Sequence, residues 1–232
     1  MPDTPDLFAT TPGIRTRLDT APLPSGLRYT SELIDAEAQT ALVAALQELE
    51  LRPFDFHGWQ GLRRTHSFGY RYDYARSGVV AAEPIPAFLE PLRVRAAGFA
   101  GIQPLALQQA LITEYAPGAP IGWHRDKPEF GIVIGISLLS ACVLRFRRRR
   151  ADCHRKWERS ALELAPRSAY LLSGESRAVW EHSIAPMPAL RYSVTFRTLR
   201  ASAADDPADD PAASAAGSPH AASSKAPPKA PP

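Results

Sequence analysis

From residue 107 to residue 199 the chain is a succession of eight short strand-like runs, at 107–115, 121–124, 131–139, 141–148, 157–164, 168–172, 179–184 and 190–199. Clusters of Pro, Gly, Asp and Ser separate them, which is the pattern of strands joined by tight turns. Many short strands in sequence point to a sandwich or jelly roll. Two helical stretches flank this block. Leu42, Val43, Leu46 and Leu49 recur at spacings of three and four, with Ser31 and Asp35 available to cap the start. Phe88, Leu89, Leu92, Val94 and Phe99 follow the same rhythm after Pro84 and Pro86, with Pro91 setting a start or kink. The fold class expected is mainly β with flanking helices (α+β), around a jelly-roll core.

One catalytic-size domain over 27–200 is the economical organisation for 232 residues. Residues 1–26, rich in Pro, Thr and Asp, read as an irregular arm. Residues 201–232 are dominated by Ala, Pro, Ser and Asp, and read as a disordered tail that cannot bury enough apolar surface to offset its ordering entropy. That tail holds four aspartates and two lysines, a net −2, so residues 1–200 carry +5 of a whole-chain +3. A positive excess of this size suits a polyanionic partner. The two cysteines, Cys142 and Cys153, and the lack of an N-terminal apolar signal run argue against a disulfide-built secreted fold. No apolar run is long enough to span a bilayer, and a cytoplasmic monomer without membrane contact is expected. Cys153-His154 has no second pair nearby to make a metal site.

Chemistry concentrates in Tyr115-Ala-Pro-Gly-Ala-Pro-Ile-Gly-Trp-His124-Arg-Asp126. In an extended strand residues i and i+2 share a side, so His124 and Asp126 can grip one ion. Alone, the tripeptide also reads as two solvated loop residues. His182, in a later strand-like context, supplies a third donor. Two imidazoles and one carboxylate on one face suit non-haem Fe(II), because the opposite positions stay open for a co-substrate and dioxygen. In the closing run Arg191, Ser193, Thr195 and Arg197 share one face, and Tyr192, Val194 and Phe196 the other. An inward face of that kind needs an anion. A dicarboxylate such as 2-oxoglutarate fits, with forked hydrogen bonds from arginine and its keto-acid end on the metal. Arg191 is expected at the distal carboxylate and Arg197 at the metal-proximal end.

Between Pro53 and Arg76, Trp59, Phe68, Tyr70, Tyr72 and Tyr74 interleave with Arg63, Arg64, His66 and Arg71. Rings stack on bases while guanidiniums meet phosphates, so this is a candidate nucleic-acid surface. The same stretch also reads as an aromatic hairpin packing alternate residues inward. Gly58 and Gly61 around Trp59 would let it move as a flap. A second basic cluster, Arg145 to Lys156, reads either as a solvated hairpin tip or as a phosphate-contacting ridge.

Taken together, Tyr115-Ala-Pro-Gly, His124-Arg-Asp126, Gly174-Glu-Ser-Arg177, His182 and Arg191-x-Ser-x-Thr-Phe-Arg197 resemble the AlkB-type Fe(II)- and 2-oxoglutarate-dependent dioxygenases over residues 27–199. Asp6-Leu-Phe-Ala9 looks like the bacterial N-terminus of that family. The resemblance implies a double-stranded β-helix with Fe(II) on His124, Asp126 and His182. It implies 2-oxoglutarate on Arg191 and Arg197 with help from Tyr115, and with Thr113 and Ser193 where repair members often carry Asn. Dioxygen would be the second co-substrate, and an N-methyl group would be hydroxylated and leave as formaldehyde. The 53–76 stretch falls where the family carries its recognition lid, and resembles the branch with tRNA-modifying members. Candidate substrate contacts are Trp59, Arg63, Arg64, His66, Tyr70, Arg71, Tyr72 and Glu129, the last beside Pro128, where a repair enzyme can use an acid to read the base. Oxidation of alkylated DNA or RNA leads. The same chemistry on a protein or small molecule, and a metal-independent nucleic-acid-binding module, stand as alternatives.

Overall fold

The computed structural model describes residues 22–56, 59–153 and 155–200, with backbone alone for residues 54–56 and 59–60. Nearly all of the expected arm, the expected tail from residue 201 on, Gly58, His154 and the Trp59 side chain lie outside the described residues.

Strands β1 Leu27–Thr30, β2 Arg52–Phe56, β3 Trp59–Phe68, β4 Tyr70–Asp73 and β5 Gly78–Ala81 precede the eight expected ones. Those are β6 Gln109–Tyr115, β7 Ile121–His124, β8 Phe130–Leu138, β9 Cys142–Arg149, β10 Trp157–Leu164, β11 Ala169–Leu172, β12 Glu181–Ile184 and β13 Arg191–Leu199. Helices are α1 Ala36–Gln47, α2 Glu90–Ala100 and the short α3 Gly174–Ala178. The Asp35 carboxylate accepts from the Ala38 amide at 2.8 Å and caps α1. α2 starts at Glu90, with Pro91 in its first turn, where the missing amide hydrogen costs nothing.

The strands form two sheets, ordered β1-β11-β8-β13-β6-β3-β2 and β10-β9-β12-β7, with β4-β5 as a separate hairpin. This is the jelly roll that the run of short strands predicts. Strand β13 lies between β8 and β6, and its period-2 alternation divides two environments. Tyr192, Val194 and Phe196 join Leu42, Val43 and Leu46 of α1 and Leu92, Ala96 and Ala97 of α2 in one core. Arg191, Ser193, Thr195 and Arg197 face the space between the sheets. A second core, with Phe146, Leu144, Trp180, Leu172 and Ile184, closes the far part of that space. Among the described residues no helix is long and apolar enough to cross a membrane.

The 53–76 stretch departs from the flap expectation. Strand β3 pairs with β6 from Arg63↔Tyr115 to Phe68↔Ala110, so it belongs to the larger sheet. Outside the sheet, only the β4-β5 hairpin and its flanks stand apart. The run expected to be strand from residue 179 starts at Glu181 instead, because Ser173 and Ser176 form a capping box that nucleates α3 just before it.

Phe196 is fully buried between the sheet and the helices. Phe196→Ala should therefore lower stability by about 3–5 kcal/mol, read as a lower urea midpoint with an unchanged m value.

Candidate active site

Strands β7 and β12 run antiparallel with His124 directly opposite His182, and their ring centroids are 4.3 Å apart. Asp126 leaves the end of β7 and turns inward, with 6% of its side chain exposed against 8% for His182. His182 Nε2 faces Asp126 Oδ2 at 3.6 Å, beyond hydrogen-bond reach. Asp126 Oδ2 is buried with no donor. His124 Nδ1 lies 2.9 Å from the Gly122 carbonyl, which can only accept, so Nδ1 carries the hydrogen and Nε2 is left as a donor atom for a cation.

The electrostatics keep these groups in their ligating forms. Burial alone would raise the Asp126 carboxyl, but Arg197, then the two imidazoles and Arg177, outweigh it and hold it far below the usual carboxylate range. Burial, followed by the neighbouring His124 ring, pushes His182 down to about 3, so it is neutral at ordinary pH. His124 is also lowered, mainly by burial. Two neutral imidazoles and a carboxylate with one unsatisfied oxygen are the donor set a divalent iron takes. As they stand, the imidazoles pack on one another, and among the described residues no three such side chains are closed into a cage. Small ring rotations are needed to close them on an ion.

Around the donors lies a cavity of about 1120 Å³. Arg197 donates to Asp126 Oδ1 from Nε at 3.0 Å and Nη2 at 2.7 Å, and from Nη1 to Gln109 Oε1 at 2.9 Å. Arg191 sits deeper, 1% exposed. It donates from Nε to Ser137 Oγ at 3.0 Å and stacks over Tyr115 at 4.9 Å. Its Nη1 is buried with no partner. A buried guanidinium edge left unsatisfied calls for an anionic acceptor. Thr113, Tyr115, Ser193 and Thr195 also line this end, in neighbouring rows set by Arg191↔Tyr115 and Ser193↔Thr113. The two arginines therefore do not converge on one point. One stands at Asp126, the other at the far end of the cavity, as their separation along β13 requires.

Of the expected substrate contacts, Arg63, Arg71 and Tyr72 line the cavity. Arg64 and His66 do not, because the β3-β6 register turns them to the opposite face. Arg64 grips Glu114 through Nε at 2.8 Å and Nη2 at 2.7 Å, and Tyr192 donates to the same carboxylate at 2.6 Å. His66 packs on Phe68, ring centroids 4.4 Å apart. Tyr70 and Glu129 are also outside the cavity wall. Several contributors go unassigned in the sequence reading. Lys127 stacks over Tyr72 at 4.3 Å and Tyr74 at 4.8 Å and ties the hairpin to the loop after Asp126. Arg177 donates to the carbonyls of Gly131 (3.1 Å), Asp126 (3.2 Å), Phe130 (2.6 Å) and Lys127, fixing that loop's backbone. Tyr170 lies over Gly135, where any Cβ would come within 2.3 Å of its ring. Two of these have a signal in the sequence: Arg177, in the block Gly174-Glu-Ser-Arg177, and Ser137, a lone hydroxyl before Leu138 in the run Ile132-Val-Ile-Gly-Ile-Ser137.

Residues 26–197 match the 2OG-Fe(II) oxygenase superfamily, and the chain belongs to it. It is a 2-oxoglutarate-dependent dioxygenase, with Fe(II) as its metal and 2-oxoglutarate and dioxygen as co-substrates. Within that class it is similar to proteins named ALKBH8. It is 32% identical over 165 residues to the Alkylated DNA repair protein ALKBH8 homolog of Arabidopsis thaliana, covering 61% of this chain and 47% of that one. It is 28% identical over 173 residues to the Mus musculus tRNA (carboxymethyluridine(34)-5-O)-methyltransferase ALKBH8, covering 71% and 25%. The chain thus spans about half or less of the length of these relatives. The solved structure of OsALKBH1 superposes with a TM-score of 0.58 at 15% identity, over 75% of this chain and 96% of that one, which shows the shared fold. Membership sets aside the metal-independent alternative.

Replacing Arg177 by Met leaves four carbonyls, one buried and three partly buried, without this donor. It should cost about 2–4 kcal/mol of stability, on the scale of lost charge-assisted hydrogen bonds, and weaken Mn(II) binding read by thermal shift. His182→Ala should abolish the Mn(II)-dependent stabilisation, which for the unaltered protein is about 2.7 kcal/mol at a hundredfold excess over Kd, and leave the apo protein's midpoint nearly unchanged.

Proposed function

We propose that the enzyme oxidises alkylated nucleic acid, DNA or RNA, removing an N-methyl group as formaldehyde. On this reading His124, Asp126 and His182 hold Fe(II). Arg191 takes the distal carboxylate of 2-oxoglutarate, with Tyr115, Thr113 and Ser193 beside it. Arg197 orients Asp126 at the metal-proximal end. When bound, iron with 2-oxoglutarate and dioxygen supplies the oxidation of a C–H bond, coupled to release of succinate and carbon dioxide.

The observation that carries the substrate class is the cavity mouth. Arg63, Arg71, Tyr72 and Tyr74 from the expected lid meet Trp123, Arg125 and Lys127 around one opening. Desolvation lowers Arg63, against the raising influence of Tyr115 and Tyr74, yet an arginine stays charged under any physiological condition. Flat rings beside fixed cations match a base and its phosphates. The names of the relatives, one a DNA-repair protein and one a tRNA-modifying enzyme, support the same class.

Purified protein with Fe(II) and ascorbate should convert 2-oxoglutarate to succinate faster when methylated DNA, RNA or tRNA is added, with formaldehyde formed in step. No stimulation by any of the three would sink the nucleic-acid reading. Tyr72→Ala should raise KM for the responsive nucleic acid by about five- to a hundredfold, the worth of one base-stacking contact of roughly 1–3 kcal/mol. The KM for 2-oxoglutarate should not move.

A further inference from the structure

The basic hairpin β9-β10 gives the cavity wall Leu144 and, among the described residues, none of its charged side chains. Its cations divide between two faces. On one, Arg148 is fully engaged, with Glu158 at 2.8 Å, Glu175 at 3.1 Å and the Trp180 ring at 4.7 Å. At the tip, Arg150 forks onto Asp152. These are structural pairs.

The other face is arranged differently. Arg145, Arg147 and Arg149, at alternate positions of β9, interleave with tryptophans from neighbouring segments. Arg149 lies over Trp157 at 3.8 Å. Arg147 lies over Trp157 at 4.2 Å and Trp123 at 4.5 Å. Arg145 lies over Trp123 at 5.3 Å. The groups form a continuous ladder, Arg149, Trp157, Arg147, Trp123, Arg145. Trp123 is also part of the cavity wall and precedes His124, so the ladder abuts the rim of the active site.

Charge on this face is unbalanced. Arg159 stands directly opposite Arg147 across β10 and β9, a like-charge pair that costs stability. The acids on the face are Glu181, bonded to Arg147 at 2.6 Å, and Glu163, opposite Val143. Arg145 Nε goes to the Ser183 hydroxyl at 3.1 Å. No carboxylate among the described residues pairs with Arg145 or Arg149. A guanidinium over an indole face still has N–H groups to offer phosphate oxygens. Alternate strand positions lie roughly 6.8 Å apart, the same order as successive phosphates of an unstacked single strand.

We infer that this ladder is the track for the single strand flanking the nucleotide in the cavity, its phosphates held by Arg145, Arg147 and Arg149. The inference rests on the nucleic-acid reading of the site. Arg147 is restrained by Glu181, so the test uses the other two.

The double variant Arg145→Gln, Arg149→Gln is compared with the unaltered protein in a salt titration against a long, labelled, unmethylated single strand. Each lost phosphate contact removes about 0.7 from the slope of log K against log salt, so the slope should fall by about 1.4, roughly 25-fold weaker binding near 0.1 M salt. With methylated substrates, KM should rise for the long strand and stay unchanged for a trinucleotide. An unchanged trinucleotide rate and melting midpoint show that the variant is folded. An unchanged salt slope, or equal KM values for the long strand, overturns the ladder while leaving the proposed function standing. If no methylated nucleic acid is turned over, the proposed function falls, and the salt slope still decides the ladder. Equal, salt-sensitive and variant-sensitive binding of phosphatidylserine vesicles would overturn the choice of partner.

Discussion

The Asp126 side chain is only 6% exposed, and a carboxylate so buried is unfavourable by several kcal/mol unless a charge and hydrogen bonds answer it. Arg197 supplies both, placing Nε and Nη2 on Oδ1 and so leaving Oδ2 as the oxygen turned toward His182. The direction in which the site can take a cation follows from this one pair. Arg197 can hold that position because β13 is hydrogen-bonded on both sides, to β6 and to β8, and because Gln109 occupies its remaining edge. Arg177 does the complementary work on the main chain, holding the loop after Asp126 by its carbonyls. Carboxylate and backbone are thus fixed from two different elements, while the Gly122 carbonyl sets the orientation of the His124 ring.

The polar face of β13 was legible because it is a local pattern. A period of two along that strand places Arg191 with Arg197, whereas β7 ends at His124, Asp126 joins it by turning inward beyond the strand, and His182 arrives through the β7-β12 pairing. Like the face of β13, the eight late strands were legible as local patterns. What the pattern leaves open is which face of an isolated strand turns inward. In β3 both sets of alternate residues carry arginine, and a register slip of one residue would exchange Arg63 for Arg64 in the cavity. The choice is made by Glu114. It lies on the helix-packed side of β6, and its burial there requires a cation and a donor, which Arg64 and Tyr192 provide from strands far away in sequence. Pairings across 50 and 78 residues have no local signature. Ser137 beneath Arg191 and the carbonyl cluster around Arg177 were missed on the same grounds.

The composition of the cavity wall also bears on selectivity. Arg63, Arg71, Arg125, Lys127, Arg177, Arg191, Arg197 and Arg200 line it, against the acids Asp126 and Glu181. Arg177 is spent on carbonyls and Arg197 on Asp126, and Arg71 lies 3.8 Å from Asp73. Guanidinium charge does not titrate in the physiological range, so the positive potential at the opening is a constant of the structure. Such a potential attracts polyanions without distinguishing among them. Discrimination must come from the shape of the opening, where Lys127 pins Tyr72 and Tyr74 to the metal loop and limits how far the hairpin can move.

This division of labour gives the outer ladder a physical rationale. A cavity that admits a single nucleotide contacts one or two phosphates, which yields little affinity at physiological salt because each contact is worth only its released counterion. Extending the cationic track along β9 multiplies those contacts without enlarging the cavity, and therefore without loosening its fit to the reacting group. The tryptophans contact the guanidiniums and restrict them, so less side-chain entropy is lost when a strand is bound than free surface arginines would lose. Affinity and selectivity would then reside on different faces of the same second sheet, joined where Trp123 turns the outer ladder into the wall beside His124.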